Sequence, residues 1–198
     1  MVTRTPLTTA SVIAEAAALA DESGFEAVTL SAVARRLGVR TPSLYSHVRD
    51  REALLDGIGA LALSELVARI AEVVAGRAGR AALEGYATVY RTYARERPGR
   101  WQSLQRRAGE AVVRSDAARE VVALTAAVLR GYPVPAAEHV HAVRLLGSTI
   151  NGYLALERIG SFDHSTPSPE VSWRKTVEVL DVLLRAWPAE SGKDTTAP

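Results

Sequence analysis

The sequence predicts an all-α protein with about nine helices. Apolar residues recur at spacings of three and four along most of the 198-residue chain, which places them on one face of a helix. The period-two alternation of a half-buried strand is absent, and β-branched residues follow the helical spacing instead. Glycine and proline interrupt the pattern at intervals that suit helix ends.

The helices are predicted from these interruptions. A first helix covers residues 9–23 and ends at Gly24, and a short second helix covers 29–37 before Gly38. A third short helix begins at Thr41-Pro42 and ends near His47, and Asp50 caps a fourth that ends at 75–76. Five further helices are predicted over 78–97, 98–108, 115–130, 136–159 and 170–187, and a disordered tail is predicted over 189–198.

The composition excludes several classes of protein. The chain contains no cysteine, so disulfide frameworks, thiolate metal sites and cysteine catalysis are excluded, and a reducing cytoplasm is the expected location. No run approaches the roughly 20 apolar residues that cross a bilayer, and the N-terminus lacks the apolar region of a secretion signal. We therefore expect neither a membrane partner nor secretion.

Enzyme and metal chemistry also lack support in the sequence. A glycine-rich phosphate loop, an HExxH motif and a GxSxG elbow are all absent. His139 and His141 stand two positions apart on a predicted helix, so their side chains point about 200° apart and cannot hold one ion. The sequence thus predicts no catalytic residues, no metal site and no cofactor.

The placement of charge is more informative than its sum. The formal charge is only +2, and most basic residues are arginines. Five of these crowd one short stretch, at Arg35, Arg36, Arg40, Arg49 and Arg51. Acidic residues upstream leave residues 1–55 nearly neutral, so any basic surface must arise locally, by the sorting of charges onto different helices.

Residues 29–48 carry the strongest motif in the chain. Two short helices joined by a tight turn at Gly38 are typical of a helix-turn-helix. Ala34 allows a close helix crossing, Gly38 allows the turn, and Leu44 would hold the second helix against the first. The polar residues of that second helix would then face solvent, on an element short enough to enter a major groove. A plain helical hairpin with a solvated polar face is the alternative.

The stretch GFEAVTLSAVARRLGVRTPSLYSHVRDREALLDGI, residues 24–58, resembles the DNA-binding domain of the TetR family of transcriptional regulators. The resemblance is dense over about residues 8–58, including the first helix, and the helical remainder of the chain is compatible in length and order. It implies a helix-turn-helix DNA-binding domain of three helices over residues 1–55. It also implies a helical ligand-binding and dimerisation domain over residues 56–188.

The resemblance implies a role for each matching residue of the motif. Four residues match positions that contact the DNA backbone in the family: Thr29, Tyr45, His47 and Arg51. Five residues match positions that read base edges or thymine methyl groups: Ser31, Arg40, Thr41, Pro42 and Ser43. Ser46 matches a DNA-facing position at which relatives more often carry an aromatic or larger residue. Arg40 is the expected guanine ligand, and a solvated turn residue is the alternative for it.

A stripe of tyrosines indicates where an effector would bind. Tyr86, Tyr90 and Tyr93 fall on one helix face, and a tyrosine offers an apolar ring with a hydroxyl that needs a partner when buried. Such a stripe suits a pocket for a partly polar molecule, and ordinary core packing is the alternative. Eleven arginines against five acidic residues over 77–130 favour either an anionic effector or a solvated basic surface. The complete predicted pocket comprises Tyr86, Tyr90, Tyr93, Trp101, Gln105, Asn151 and Tyr153.

Residues 145–162 resemble one branch of the family, whose regulatory domain carries a Trp-His-Gly tripeptide followed by Leu-Glu and Gly-Gly-Phe. The matching segments are Ile150-Asn151-Gly152, Leu156-Glu157 and Gly160-Ser161-Phe162, with two departures inside the tripeptide. Membership of this WHG-type branch is therefore expected.

The predicted function is that of a ligand-responsive transcriptional regulator. It would bind a palindromic double-stranded operator as a homodimer and repress transcription, and a small-molecule effector would release it. One short recognition helix buries too little surface for specific affinity, which two half-sites remedy. Two apolar stripes are expected at the dimer interface: Val140, Val143, Leu146 and Ile150, and Trp173, Val177, Leu180 and Leu184. The alternatives are stripes buried within one subunit, and a non-specific nucleoid-type DNA-binding protein without an effector pocket.

Overall fold

The computed structural model describes residues 7–188, and within this range the regular elements are all helices. Nine of them are α-helices, which confirms the predicted fold class. Their bounds are α1 Thr9–Ser23, α2 Leu30–Arg36, α3 Arg51–Val74, α4 Gly79–Glu96, α5 Pro98–Ser103, α6 Glu110–Val113, α7 Asp116–Leu129, α8 His139–Arg158 and α9 Pro169–Arg185. Short 3₁₀ turns cover Phe25–Ala27, Thr41–Leu44 and Ala136–Glu138.

The predicted third helix differs from the structure in kind. It is the 3₁₀ turn Thr41–Leu44 and not an α-helix. Its backbone N–H groups bond to carbonyls three residues earlier, as from Tyr45 to Pro42 and from His47 to Leu44. Because the segment is only four residues long, it forms the tighter 3₁₀ turn, which is typical of such short pieces. The number of α-helices is still nine, because the short α6 was not predicted.

Side chains cap two of the helices that shape the N-terminal region. The Thr8 hydroxyl accepts a hydrogen bond from the Ser11 N–H, and the Ser11 hydroxyl accepts one from the Thr8 N–H. The Asp50 carboxylate accepts a bond of 2.8 Å from the Ala53 N–H, so α3 begins where the sequence predicts. That backbone bond, with a second bond from Arg49, holds the pKa of Asp50 below its ordinary value.

The described chain divides into two compact units. The first comprises residues 7–71 together with Val89–Val122, and the second comprises Glu72–Thr88 together with residues 123–188. An apolar core in the first unit joins α1, α2, the 3₁₀ turn and the start of α3. Its fully buried members include Val12, Ala16, Val28, Val33, Leu44, Leu54 and Ile58.

Two further features bear on the sequence predictions. Within residues 7–188, no helix has both the length and the apolar character needed to cross a bilayer. The predicted domain boundary after residue 55 falls inside α3 and stays a prediction, and the predicted tail over 189–198 lies outside the described residues.

Candidate functional site

The junction between α2 and the 3₁₀ turn is closed by backbone hydrogen bonds around Gly38. The Val39 N–H bonds to the Ala34 carbonyl at 3.0 Å, and the Gly38 N–H bonds to the Arg35 carbonyl at 3.2 Å. This pair of bonds is a Schellman motif, which needs a left-handed residue at the position of Gly38. Gly38 has a φ of 66°, and a Cβ there would meet no described atom within 4 Å. The glycine is therefore required by its backbone angle and not by lack of space.

Residues 40–47, hereafter the recognition turn, separate apolar from polar side chains sharply. Leu44 is completely buried in the core beneath the turn. Its neighbour Tyr45 is 56% exposed, although tyrosine is a large and partly apolar residue. Arg40, Pro42 and Ser43 are exposed as well. The turn is thus held by one buried leucine and presents polar and aromatic groups to solvent.

The structure brings most of the predicted DNA-contacting residues to exposed positions on α2 and the recognition turn. Thr29 is the N-cap of α2: its hydroxyl accepts a bond from the Ala32 N–H and lies 3.2 Å from the Ser31 hydroxyl. The Ser46 hydroxyl donates to the Ser43 carbonyl at 3.0 Å, so it serves the turn itself. The exposed set is Thr29, Ser31, Arg40, Pro42, Ser43, Tyr45 and Ser46, and the half-buried set is Thr41, His47 and Arg51.

The crowded arginines have separate tasks. The Arg36 guanidinium joins α2 to α1 through ion pairs with Glu15 and Glu22. Hydrogen bonds with these two carboxylates raise the pKa of Arg36, and the bond with Arg36 lowers the pKa of Glu22. Arg49 pairs with Asp50 at 2.7 Å. The Arg51 Nε donates to the Val28 carbonyl at 2.8 Å, which fixes the start of α3 beside the N-cap of α2. Part of the sequence's basic cluster therefore holds the helices together.

A second ionic cluster, which the sequence analysis missed, joins α5 to α1 and α3. The Arg100 side chain lies 3.3 Å from the Asp21 carboxylate and 3.0 Å from that of Glu65. The Arg100 N–H also bonds to Asp21 at 3.0 Å, and the Tyr93 hydroxyl donates to Glu65 at 2.8 Å. A Cβ at the neighbouring Gly99 would overlap with the backbone of Ala20, so α5 and α1 are in direct contact there. Linear spacing could not reveal this cluster, because its members come from distant parts of the chain.

The predicted pocket residues fall into different surroundings. Tyr86, Tyr93 and Trp101 are buried, Tyr90, Asn151 and Tyr153 are half-buried, and Gln105 is exposed. Several of their polar groups have partners inside the chain. The Tyr86 hydroxyl lies 3.1 Å from that of Thr125, the Asn151 amide donates to the Gly147 carbonyl, and the Tyr153 hydroxyl donates to the Pro169 carbonyl. Burial and the bond to Glu65 raise the pKa of Tyr93, so its hydroxyl stays protonated.

The structure corrects the predicted dimer stripes. Six of their eight side chains are buried within the chain, because α8 and α9 use these faces to pack their own unit: Leu146, Ile150, Trp173, Val177, Leu180 and Leu184. Val140 is exposed and Val143 is half-buried. A different set of apolar side chains is exposed on the same two helices, namely Leu156 on α8 and Val171, Val179, Val182 and Leu183 on α9.

Part of this exposed set borders an apolar groove along α9. The groove has a volume of about 450 Å³ and is lined mainly by α9, with Thr149 from α8 and Pro167 from the connection between the helices. Beside it, Asp181 is only 5% exposed, while the following residue Val182 is 57% exposed. The Asp181 carboxylate accepts bonds from the Tyr132 hydroxyl at 2.8 Å and from Arg185 at 2.9 Å. This stretch of α9 therefore buries a charge and exposes apolar residues.

Two family models match the chain. Residues 12–58 match the model described as bacterial regulatory proteins of the tetR family, and residues 83–180 match a tetracyclin repressor-like C-terminal domain. The uncharacterized HTH-type transcriptional regulator Rv0681 of Mycobacterium tuberculosis is 30% identical over 155 residues, which are 77% of this chain and 71% of that protein. The class A tetracycline repressor of Escherichia coli is 42% identical over 55 residues, 28% of this chain and 26% of the repressor.

Solved structures share the fold. A protein of unknown function from Rhodococcus sp. RHA1 superposes with a TM-score of 0.73 at 20% identity, over 93% of this chain and 99% of that one. A TetR variant from Acinetobacter baumannii in complex with minocycline gives a TM-score of 0.66 at 22% identity, over 89% and 96% of the two chains. Membership of the WHG-type branch stays a prediction. The helix-turn-helix geometry, the matches along the chain and the shared fold lead to one conclusion: the chain belongs to the TetR family and is a DNA-binding transcriptional regulator.

Proposed function

We propose that the chain acts in the cytoplasm as a homodimeric repressor that a small-molecule effector releases from a palindromic operator. The observation that carries the proposal is the recognition turn, in which Leu44 is fully buried while Arg40, Ser43 and Tyr45 are exposed on one short segment. A segment this short fits into a major groove, and its side chains can reach base edges and phosphates together. Thr29, on the preceding helix, would bind a phosphate beside it.

The proposed dimer forms through the outer faces of α8 and α9. These helices expose Leu156, Val179, Val182 and Leu183, and an apolar groove runs beside them. Large apolar surfaces of this kind mark sites of association. A second copy of the chain is the partner that best fits, because a single recognition turn buries too little surface for specific binding and a two-fold pair would supply two.

The proposed release works through a shift between two conformations. An effector that binds more tightly to a state in which α3 pivots would separate the two DNA-binding regions, and it would shift the population only by that difference in affinity. The Arg100 cluster supports this route, because it joins α5, beside the predicted pocket residue Trp101, to both α1 and α3. A solved structure of the same fold, a TetR variant from A. baumannii, is a complex with minocycline, which agrees with the binding of a small molecule by this kind of domain.

The test compares wild-type protein with Tyr45→Ala on DNA that the wild-type protein has selected from a random pool. We expect Tyr45→Ala to abolish binding in a mobility-shift assay, because it removes a phosphate or sugar contact at the centre of the turn. Helicity and oligomeric mass should stay unchanged, since the ring is exposed. Val113→Ala, at a residue 61% exposed on α6, is the matched control and should bind normally.

The selection step also separates the rival function. A specific regulator enriches a defined, two-fold symmetric sequence, whereas a nucleoid-type protein enriches no sequence and binds random DNA equally well. Normal DNA binding by Tyr45→Ala would contradict the proposal that the recognition turn binds DNA. If no sequence is enriched, the repressor proposal is wrong and the nucleoid-type function is favoured.

A further inference from the structure

Trp101 on α5 carries a buried hydrogen-bond donor without an acceptor. The residue is 2% exposed, and no atom of residues 7–188 accepts a hydrogen bond from its indole N–H. Buried donors of this kind are rare in native proteins, because a lost bond with water is not replaced. Within residues 7–188, the two other buried side-chain polar atoms with this status, in Asp21 and Arg100, belong to the ion pair between those residues. Trp101 has no such compensation.

Open space lies beside α3 in the same unit. Gly59 is buried, yet a Cβ built on it would meet no atom of the described residues within 4 Å. A Cβ on Gly57, two residues earlier, would instead overlap with Ile13. A buried position that could accept a side chain without contact borders a void, whereas ordinary helix packing leaves none.

The contacts of α3 place the chain from Arg100 to Gly109 along the helix turns that carry Gly59. Asp56, before Gly59, lies against Gly109, and Glu65, after it, binds Arg100. The segment from Arg100 to Gly109 therefore runs alongside the turns of α3 that carry Gly59, and Trp101 is the first residue of this segment after Arg100. The void and the unpaired N–H are thus brought to one region of the first unit.

We infer that Trp101 and Gly59 border one cavity that takes an uncharged, planar molecule with a hydrogen-bond acceptor, which the indole N–H would bind. The inference rests on the proposed function, in which this molecule is the effector. A planar ligand suits a site walled by an indole ring. An anionic ligand is disfavoured, because the single cation of Arg100 is already opposed by the two carboxylates of Asp21 and Glu65. A cationic donor is disfavoured as well, because the indole N–H needs an acceptor. An uncharged ligand with an acceptor atom remains.

The experiment uses two probes of the same shape on the full-length protein. Quinoline has a ring nitrogen that accepts a hydrogen bond, and naphthalene has none. Binding is followed through the indole N–H signals of the three tryptophans in a ¹⁵N-labelled sample, with Trp101→Phe and Trp187→Phe assigning the signals. We expect quinoline to shift the Trp101 signal and to bind about tenfold more tightly than naphthalene, the value of one additional hydrogen bond.

Two variants test the two halves of the inference. Trp101→Phe keeps an aromatic ring without the N–H and should bind both probes equally, whereas Trp187→Phe should keep the preference for quinoline. Gly59→Leu should fill the void and weaken both probes, with the unfolding temperature recorded to show that the chain still folds. Equal affinities for the probes in the wild type, a preference that survives Trp101→Phe, unchanged probe binding in Gly59→Leu or no response to either probe would each overturn the inference.

This measurement is independent of DNA binding. If the protein binds quinoline through Trp101 but selects no DNA, the repressor proposal is wrong and the cavity is supported. If the protein selects operator DNA but binds neither probe, the DNA-binding function is supported and the cavity is refuted.

Discussion

The recognition turn and the outer face of α9 reverse each other's arrangement of polar and apolar residues. In the recognition turn, Leu44 is buried and the polar neighbours point to solvent. In α9, Asp181 is buried and its neighbours Val182 and Leu183 are exposed. The arrangement in the recognition turn is the one that folding alone favours. The arrangement in α9 is unfavourable for an isolated chain, because it leaves apolar side chains in water and takes a charged side chain out of water.

This difference indicates what each surface binds. A polar surface such as that of the recognition turn can remain in contact with water at little cost in free energy. A charged polymer such as DNA can later replace that water. An apolar surface on α9 gains free energy only when another apolar surface covers it. We therefore propose that the recognition turn binds DNA and that α9 binds a second copy of the chain, and the following variants test this proposal.

The largest effect is expected from Leu183→Glu. A carboxylate in the middle of the proposed interface should dissociate the dimer, because its desolvation is costly when it has no partner there. The mass measured by light scattering should fall by half, and DNA affinity should fall with it. Val122→Glu, at an exposed residue on α7, is the matched control and should leave the mass unchanged. If the Leu183→Glu protein stays dimeric, the dimer interface does not include this face of α9.

The contrast between Leu44 and Tyr45 should appear in stability. Leu44→Ala removes a fully buried side chain and should lower the free energy of unfolding by about 2–5 kcal/mol. Tyr45→Ala, one residue later, should change it by only about 0.5 kcal/mol, although we expect the same variant to lose DNA binding. Urea denaturation of both variants checks this. Similar losses for the two would show that Tyr45 is part of the core.

The buried carboxylate of α9 should make stability depend on pH at the acidic end. Burial raises the pKa of Asp181, but the bonds from Arg185 and Tyr132 outweigh it and hold the pKa below its ordinary value. A lowered pKa in the folded state contributes stability above the unfolded pKa, which is lost as the pH falls through the folded value. Below about pH 4, wild-type stability should therefore fall more steeply than that of Asp181→Asn.

A smaller change is expected from the hydrogen-bonding partner of this carboxylate. Tyr132→Phe removes one bond to Asp181 while the bond from Arg185 remains, and it should cost about 1 kcal/mol of stability at neutral pH.

Equal acid sensitivity of wild type and Asp181→Asn, measured by thermal unfolding from pH 3 to pH 6, would mean that other groups control the pH response.

The sequence predicted the regions in which local chemistry decides structure. The periodicity of α1, the cap at Asp50 and the turn at Gly38 depend on nearby residues, and the structure has them where they were expected. Positions set by distant partners were not predictable. The spacing placed Leu180 on one apolar stripe of α9, but only the packing of α9 decides that this stripe is buried within its own unit and is not left exposed for a second chain.

The same limit applies to the candidate sites. The exposed positions of the recognition turn follow from the motif, because its spacing resembles that of a known family. The link from Arg100 to Asp21 and Glu65 does not, because those carboxylates lie 79 and 35 residues away along the chain. The unpaired N–H of Trp101 could not be foreseen either, since it depends on every atom around the indole.

The central claim is that two copies of the chain, joined through α8 and α9, place two recognition turns on one operator. Native mass spectrometry of the wild-type protein on its selected DNA tests this directly, with DNA carrying both half-sites compared with DNA carrying one. We expect two chains on the full site and much weaker binding to the half-site. A single chain bound with equal affinity to both DNAs would contradict it.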